Sequence, residues 1–268
     1  MTAMAVDMPA RENHGNRESE LTHALAGVRS RLAAAAEAAG RNVGEIELLP
    51  ITKFFPATDV AILSRLGCRA VGESRDQEAS AKVAEVARLV SSSSPASWRD
   101  DLRDMHWHMV GRIQRNKARS LANWAHTAHS IDSSRLVTAL GRAVSAALAE
   151  GRRQHPLRVY VEVSLDGDVS RGGVDITAAG AVEQVCAQVE ESKSLELAGL
   201  MCIPPLDWDP DEAFDRLQSE HRRVLASHPK AVGLSAGMSS DFEIAVKHGS
   251  TCVRVGTALL GPRRLPSP

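Results

Sequence analysis

Aromatic side chains are scarce in this chain, at 3% of 268 residues, and tyrosine occurs once, as Tyr160. With Trp107 and Trp124 it reads as a packing residue. Net charge is almost absent too, at −1, which gives no field suited to nucleic acid or an anionic membrane. No apolar run approaches the roughly 20 residues that span a bilayer, and Met1 to Glu20 lacks the apolar centre of a secretory signal, so a cytoplasmic protein is expected. The four cysteines, Cys68, Cys186, Cys202 and Cys252, stand far apart without a CxxC pair. That spacing argues against a zinc knuckle and a disulfide framework, and predicts reduced, buried thiols.

What the chain does have is 43% hydrophobic residues, enough for a full core, arranged in a strand and helix rhythm. Residues 1–18 are polar and read as a disordered tail. Leu21, Leu25, Val28, Leu32 and Ala36 keep helical spacing from Glu18 to Ala39, closed by Gly40. Strands are then expected at 47–56, 69–72, 106–111, 127–131, 157–163, 195–202, 231–235 and 251–255. Helices are expected between them at 60–66, 74–90, 114–121, 133–148, 178–191, 214–225 and 239–248. The serine-rich stretch 91–104 reads as a polar surface insertion. Eight such pairs predict a single-domain α/β chain, a (β/α)8 barrel over 19–265 with an extra N-terminal helix.

Chemistry in such barrels gathers at the carboxyl ends of the strands. The first strand, Glu47-Leu48-Leu49-Pro50-Ile51-Thr52, runs into Lys53-Phe54-Phe55-Pro56. Among Leu49, Ile51 and Phe54 an amine is disfavoured as an ammonium, and a neutral amine adds to aldehydes to form a Schiff base. On this stretch alone, the more ordinary reading of Lys53 is a lysine that snorkels to the rim.

Two later segments suit an anion. Ser235-Ala236-Gly237-Met238-Ser239-Ser240-Asp241 is a Gly- and Ser-bearing turn in which Ser240 and Glu243 predict a capping box. Arg254-Val255-Gly256-Thr257 supplies a fixed positive charge, a residue without a side chain and a hydroxyl. Each alone is an ordinary capped helix or strand end. Combined with Lys53 at one mouth, they describe the two anchors of pyridoxal phosphate. His106 and His108 form an HxH pair that could hold a metal, but strands five and six supply no further histidine, so no metal is expected and His108 is expected in the pocket wall. The basic residues between Gln114 and Arg119 read as a solvated face, and no nucleic acid is inferred.

Ile51-Thr52-Lys53, Gly72 to Glu78, Trp107 to Lys117, Gly199-Leu200-Met201, Leu234 to Asp241 and Arg254 to Thr257 together resemble the pyridoxal phosphate homeostasis proteins, whose fold is similar to the barrel domain of alanine racemase. The resemblance runs from the first helix to Arg263. It implies pyridoxal 5′-phosphate as cofactor, held as a Schiff base on Lys53. It implies that Ser239, Gly256 and Thr257 hold the phosphate, that Ser235 and Arg254 lie close to the cofactor, with Arg254 on either the ring nitrogen or the phosphate, and that Gly237, Met238, Ser74 and His108 also belong to the cofactor-binding site. Two positions depart from the family: Ser74 stands where an asparagine is usual, and Arg171 where a lysine is common. A racemase needs a second base across the cofactor. Alanine racemase takes a tyrosine from another domain, whereas Tyr160 lies within a strand here. A carrier that buffers or delivers the cofactor is therefore expected, as a monomer, with pyridoxal phosphate-dependent apo-enzymes as transient partners. The alternative is a single-domain racemase or decarboxylase using Lys53 with His108 or Cys202.

Overall fold

The computed structural model describes residues 10–91 and 102–262. Helix α1 (Ala10–Ala38) starts earlier than the expected Glu18. Polar ties hold its early turns: Arg17 donates to Asp59 at 2.7 Å and to the Leu260 carbonyl at 3.1 Å, and Arg65 pairs with Glu18 at 2.8 Å. Leu21, Leu25, Val28, Leu32 and Ala36 form the expected stripe, none more than 3% exposed. The stripe faces helices near the chain's end, so α1 closes the barrel wall beside β1.

Among the described residues eight parallel strands form the barrel path: β1 (Glu47–Pro50), β2 (Ala70–Glu73), β3 (His106–Met109), β4 (Thr127–Ile131), β5 (Leu157–Ser164), β6 (Leu195–Met201), β7 (Gly233–Ser235) and β8 (Cys252–Val255), and a two-residue strand, Val174–Asp175, pairs with β5 off that path. Their order is 1-8-7-6-5-4-3-2, and a bridge between Ile51 and Gly72 joins the ends. Between them run α2 (Ala57–Arg65), α3 (Asp76–Ser91), α4 (Ala118–Trp124), α5 (Ser134–Ala149), α6 (Ala181–Glu191), α7 (Pro210–Ser227) and α8 (Phe242–Lys247), with α9 (Thr257–Leu260) after β8. A nearly closed barrel of eight parallel strands, expected from the rhythm of the sequence, is what the chain forms. The insertion expected over 91–104 falls mostly on 92–101, outside the described residues.

The two faces of each strand divide the core. On β5, Val159, Val161 and Val163 join the large apolar layer under the helices, while Tyr160 packs with Ala198 and Met201 inside the barrel. On β8, Val253 and Val255 face α1 and its neighbours, which leaves Cys252 and Arg254 on the other face. One backbone contact needs glycine. A Cβ on Gly199 would lie 1.8 Å from the Gly233 carbonyl oxygen, so only a bare backbone lets β6 and β7 pair at that level. All four cysteines are free and buried. Among the described residues no helix is long and apolar enough to cross a membrane.

Candidate functional site

β1 ends earlier than its apolar run suggests, because Thr52 to Phe55 form a tight turn. The Phe55 N–H donates to the Thr52 carbonyl at 3.0 Å, and Phe54 takes a φ of 68°. That left-handed value is normally left to glycine at the third position of a type II turn. Lys53 occupies the corner and lines a cavity of about 330 Å³ at the carboxyl end of the barrel.

The same cavity is lined by Met238, Ser239, Arg254, Gly256 and Thr257, so the lysine and both anion-suited segments share one mouth. The turn after β7 is tied to itself: Met238 N–H donates to Asp241 Oδ1 at 2.5 Å, and Phe242 N–H to the Met238 carbonyl at 3.0 Å. Gly237 adopts φ 90° and lies against α8, where a Cβ would come within 2.7 Å of the Phe242 Cα. Ala258 N–H donates to Ser239 Oγ at 3.3 Å, which joins the turn to the segment after β8 and leaves the Ser239 hydroxyl proton available. The expected capping box is absent. Glu243 instead accepts from Arg31 Nε of α1 at 2.7 Å, and the residue capping α8 is Asp241, without a side-chain cap bond.

Arg254 sits opposite Leu49 in the β1–β8 ladder and is 5% exposed. It donates to Ser235 Oγ at 2.6 Å and to the Cys202 carbonyl at 2.9 Å. Burial lowers its pKa, opposed by the nearby Cys252, Cys202 and Glu162 groups, yet a guanidinium keeps its charge. Behind it runs a buried polar column. Ser235 Oγ lies 2.9 Å from His129 Nδ1, and His129 Nε2 lies 3.0 Å from His108 Nδ1. Burial holds both imidazoles well below the usual histidine pKa, so they are neutral. Arg254 can only donate, so Ser235 Oγ accepts from it, and each neutral imidazole beyond donates through one ring nitrogen and accepts through the other. At the far end of the column His108 Nε2 lies 3.9 Å from Glu47 Oε1.

His108 is thus a member of this interior column and does not line the cavity, contrary to expectation. Ser235 and Gly237 do not line the cavity; Ser235 holds Arg254, which does, and Gly237 precedes Met238, which does. Ser74 lines a neighbouring cavity with Arg112 and Lys117. Arg171 is bound to Asp166 and Asp168 of its own loop. Tyr160 lies inside the barrel with its ring 4.6 Å from that of His129. His106 stacks on His126 at 3.7 Å, and no group of three or more possible metal ligands exists among the described residues. Two features have no local signature in sequence: the His129 link, and Glu162 near the end of β5. The Glu162 carboxyl is pushed up to about 7 by burial and then by Asp132.

The barrel and its lysine-bearing mouth define a class: residues 26–264 match the family described as the alanine racemase N-terminal domain. Within that class, the Mycobacterium leprae pyridoxal phosphate homeostasis protein is 74% identical over 265 residues, which is 99% of this chain and all of the relative. The Mycobacterium tuberculosis H37Rv protein of the same name is 76% identical with the same coverage. The solved structure of Synechococcus elongatus PipY with pyridoxal phosphate bound superposes with a TM-score of 0.72 at 28% identity, covering 90% of this chain and 100% of that one. This chain belongs to the pyridoxal phosphate homeostasis protein family.

Proposed function

We propose that the chain binds pyridoxal 5′-phosphate at the barrel mouth, held covalently through Lys53, and serves to keep and hand on that cofactor. The observation that carries this reading is the shared cavity, which Lys53 lines together with Ser239, Thr257 and Arg254, so one opening offers an amine, two hydroxyls and a guanidinium. The donor set fits the cofactor. Hydroxyls beside Gly256 suit a phosphate, and Ile51, Val110, Ile203 and Met238 give apolar surface to a flat ring. When bound, pyridoxal phosphate supplies an aldehyde carbon that takes the lysine nitrogen, the aldehyde oxygen leaving with two amine hydrogens as water.

Ser239 and Thr257 orient the phosphate end. Arg254, pinned from behind by Ser235 and the Cys202 carbonyl, presents its remaining N–H groups without having to move. The racemase or decarboxylase alternative gains no support from these positions. His108 is held by His129, and burial pushes the Cys202 thiol up to about 12. Transfer to pyridoxal phosphate-dependent apo-enzymes, by a single copy of the chain, is the finer reading.

The test is an absorption spectrum of purified protein with pyridoxal phosphate, before and after borohydride. Lys53→Ala is expected to abolish the bound chromophore and the borohydride-trapped mass. An alanine variant that kept both would refute the assignment of Lys53, and amino-acid turnover by the parent would refute the carrier.

A further inference from the structure

Directly beneath Lys53 lies an ion pair that the cofactor site does not use. Lys82 of α3 donates to Glu73 Oε1 at 2.5 Å and to the Thr52 carbonyl at 2.8 Å. Thr52 Oγ1 donates to the same Glu73 oxygen at 2.7 Å. Thr52 and Glu73 are fully buried and Lys82 is 8% exposed. The Thr52 carbonyl is the one that closes the turn around Lys53, through the Phe55 N–H. It belongs to the peptide joining Thr52 to Lys53. Glu73 and Lys82 therefore grip the hydroxyl and the carbonyl of the residue that immediately precedes Lys53.

We propose that Glu73 and Lys82 are positioning residues for Lys53: as a buried clamp on Thr52, they hold the strained turn that aims the lysine into the cavity. This rests on the reading of Lys53 given above. Phe54 is the single non-glycine residue with positive φ among the described residues, and such a conformation persists only where the surroundings over-determine it. Turning the peptides of this corner to relieve Phe54 would swing Lys53 away, and a carbonyl held by both an N–H and an ammonium resists that rotation. Stability alone is a poor explanation of the pair. Buried ions lose hydration, and an apolar pair of similar volume is commonly as stable. Moreover Glu73 Oε2 is buried without a hydrogen-bond partner, so every hydrogen bond this carboxylate makes runs through Oε1, to Thr52 and Lys82. An apolar pair could supply neither the donor on the Thr52 carbonyl nor the acceptor for its hydroxyl.

The experiment compares two ligands on the full chain. Pyridoxal 5′-phosphate can dock and link, whereas 4′-deoxypyridoxine 5′-phosphate has the ring and phosphate but no aldehyde and can only dock. The double variant Glu73→Gln/Lys82→Met leaves no unpaired buried ion. It is expected to bind the deoxy ligand within twofold of the parent, while the affinity for pyridoxal phosphate, read by borohydride trapping and mass, falls about tenfold, the worth of one charge-assisted hydrogen bond. Should that variant not fold, Thr52→Val removes the hydroxyl held by Glu73 at nearly constant size, and a selective loss of about threefold is expected, as for a weaker hydrogen bond. Equal loss for both ligands would show a general structural role and overturn the proposal, as would no loss for either. Lys53→Ala run alongside separates the failures. If it keeps the trapped mass, the lysine assignment falls and the clamp with it. If it loses the mass while the clamp variants match the parent, the clamp alone falls.

Discussion

Glu162 allows a quantitative test of the barrel's electrostatics. Its side chain stands near the carboxyl end of β5, 9% exposed, beside Gly172. Burial first, and then the charge of Asp132, push its carboxyl up to about 7 from 4.5, against a hydrogen bond from Ser130 and the charges of Arg254 and Arg112. Between those two values the folded chain holds a proton that the unfolded chain has released. Stability therefore falls as pH rises through that window, and the full cost is present above pH 7. The gap corresponds to roughly 3 kcal/mol as an upper figure. Glu162→Gln keeps the shape and never ionises. At about 2–4 °C per kcal/mol for a chain of this size, its Tm should exceed the parent's by several degrees at pH 8. The difference should shrink to its pH-independent remainder near pH 4.5. Thermal unfolding followed by circular dichroism from pH 4.5 to 8.5 reads this directly. A difference that stays constant across the range, or grows towards acid, would refute the placement of Glu162 in a desolvated site beside Asp132.

Two further outcomes follow from packing and hydrogen bonding. His129→Leu takes one hydrogen-bond partner from each of two buried groups, His108 Nδ1 and the Ser235 hydroxyl that Arg254 still holds, and should cost about 2–4 kcal/mol in urea unfolding. Adding His108→Leu removes the group left without His129 and should cost less than the two single changes combined; additive costs would show that the column is not coupled. In α1, Leu32→Ala at a 3% exposed position should cost about 2–5 kcal/mol, whereas Ala at the neighbouring exposed Arg31 should cost far less, and equal losses would contradict the docking of this helix.

Local periodicity carried the fold. The α1 stripe and β4 fell where spacing and β-propensity put them, because each depends on neighbours in the chain. The position of Lys53 at a strand's carboxyl end was legible for the same reason. The site's supports were not. The His108–His129 bond depends on the register of β3 against β4, and its continuation to Ser235 crosses 106 residues. Lys82 meets Glu73 at a nine-residue separation that matches no helical or strand period. The capping box failed for the opposite reason: Ser240 and Glu243 carry the right local signal, but Arg31 comes from 212 residues away and takes the glutamate. His106 and His108 did share a strand face, yet that face is the barrel interior, where His108 found a partner that spacing could not reveal.

A barrel interior is usually closed by layers of branched apolar side chains, and the polar column here is costly unless every member is bonded. Arg254 anchors one end of it. A guanidinium offers five donors and no acceptor, so Ser235 Oγ accepts from it, and the two neutral imidazoles beyond, each with one donor and one acceptor nitrogen, must pass their protons along the column in a single shared direction. Two of the five donors are engaged by Ser235 and the Cys202 carbonyl. The other three are uncommitted to these bonds, on a side chain that lines the mouth. The column thus fixes a cation that would otherwise have to be ordered when an anion or ring arrives, and binding at a group already held in place loses less entropy than binding at a mobile one. The same logic applies after the neighbouring strand β1, where the turn at Thr52–Phe55 fixes the amine. In both cases the buried polar groups are explained by the direction they impose on a single side chain at the cavity.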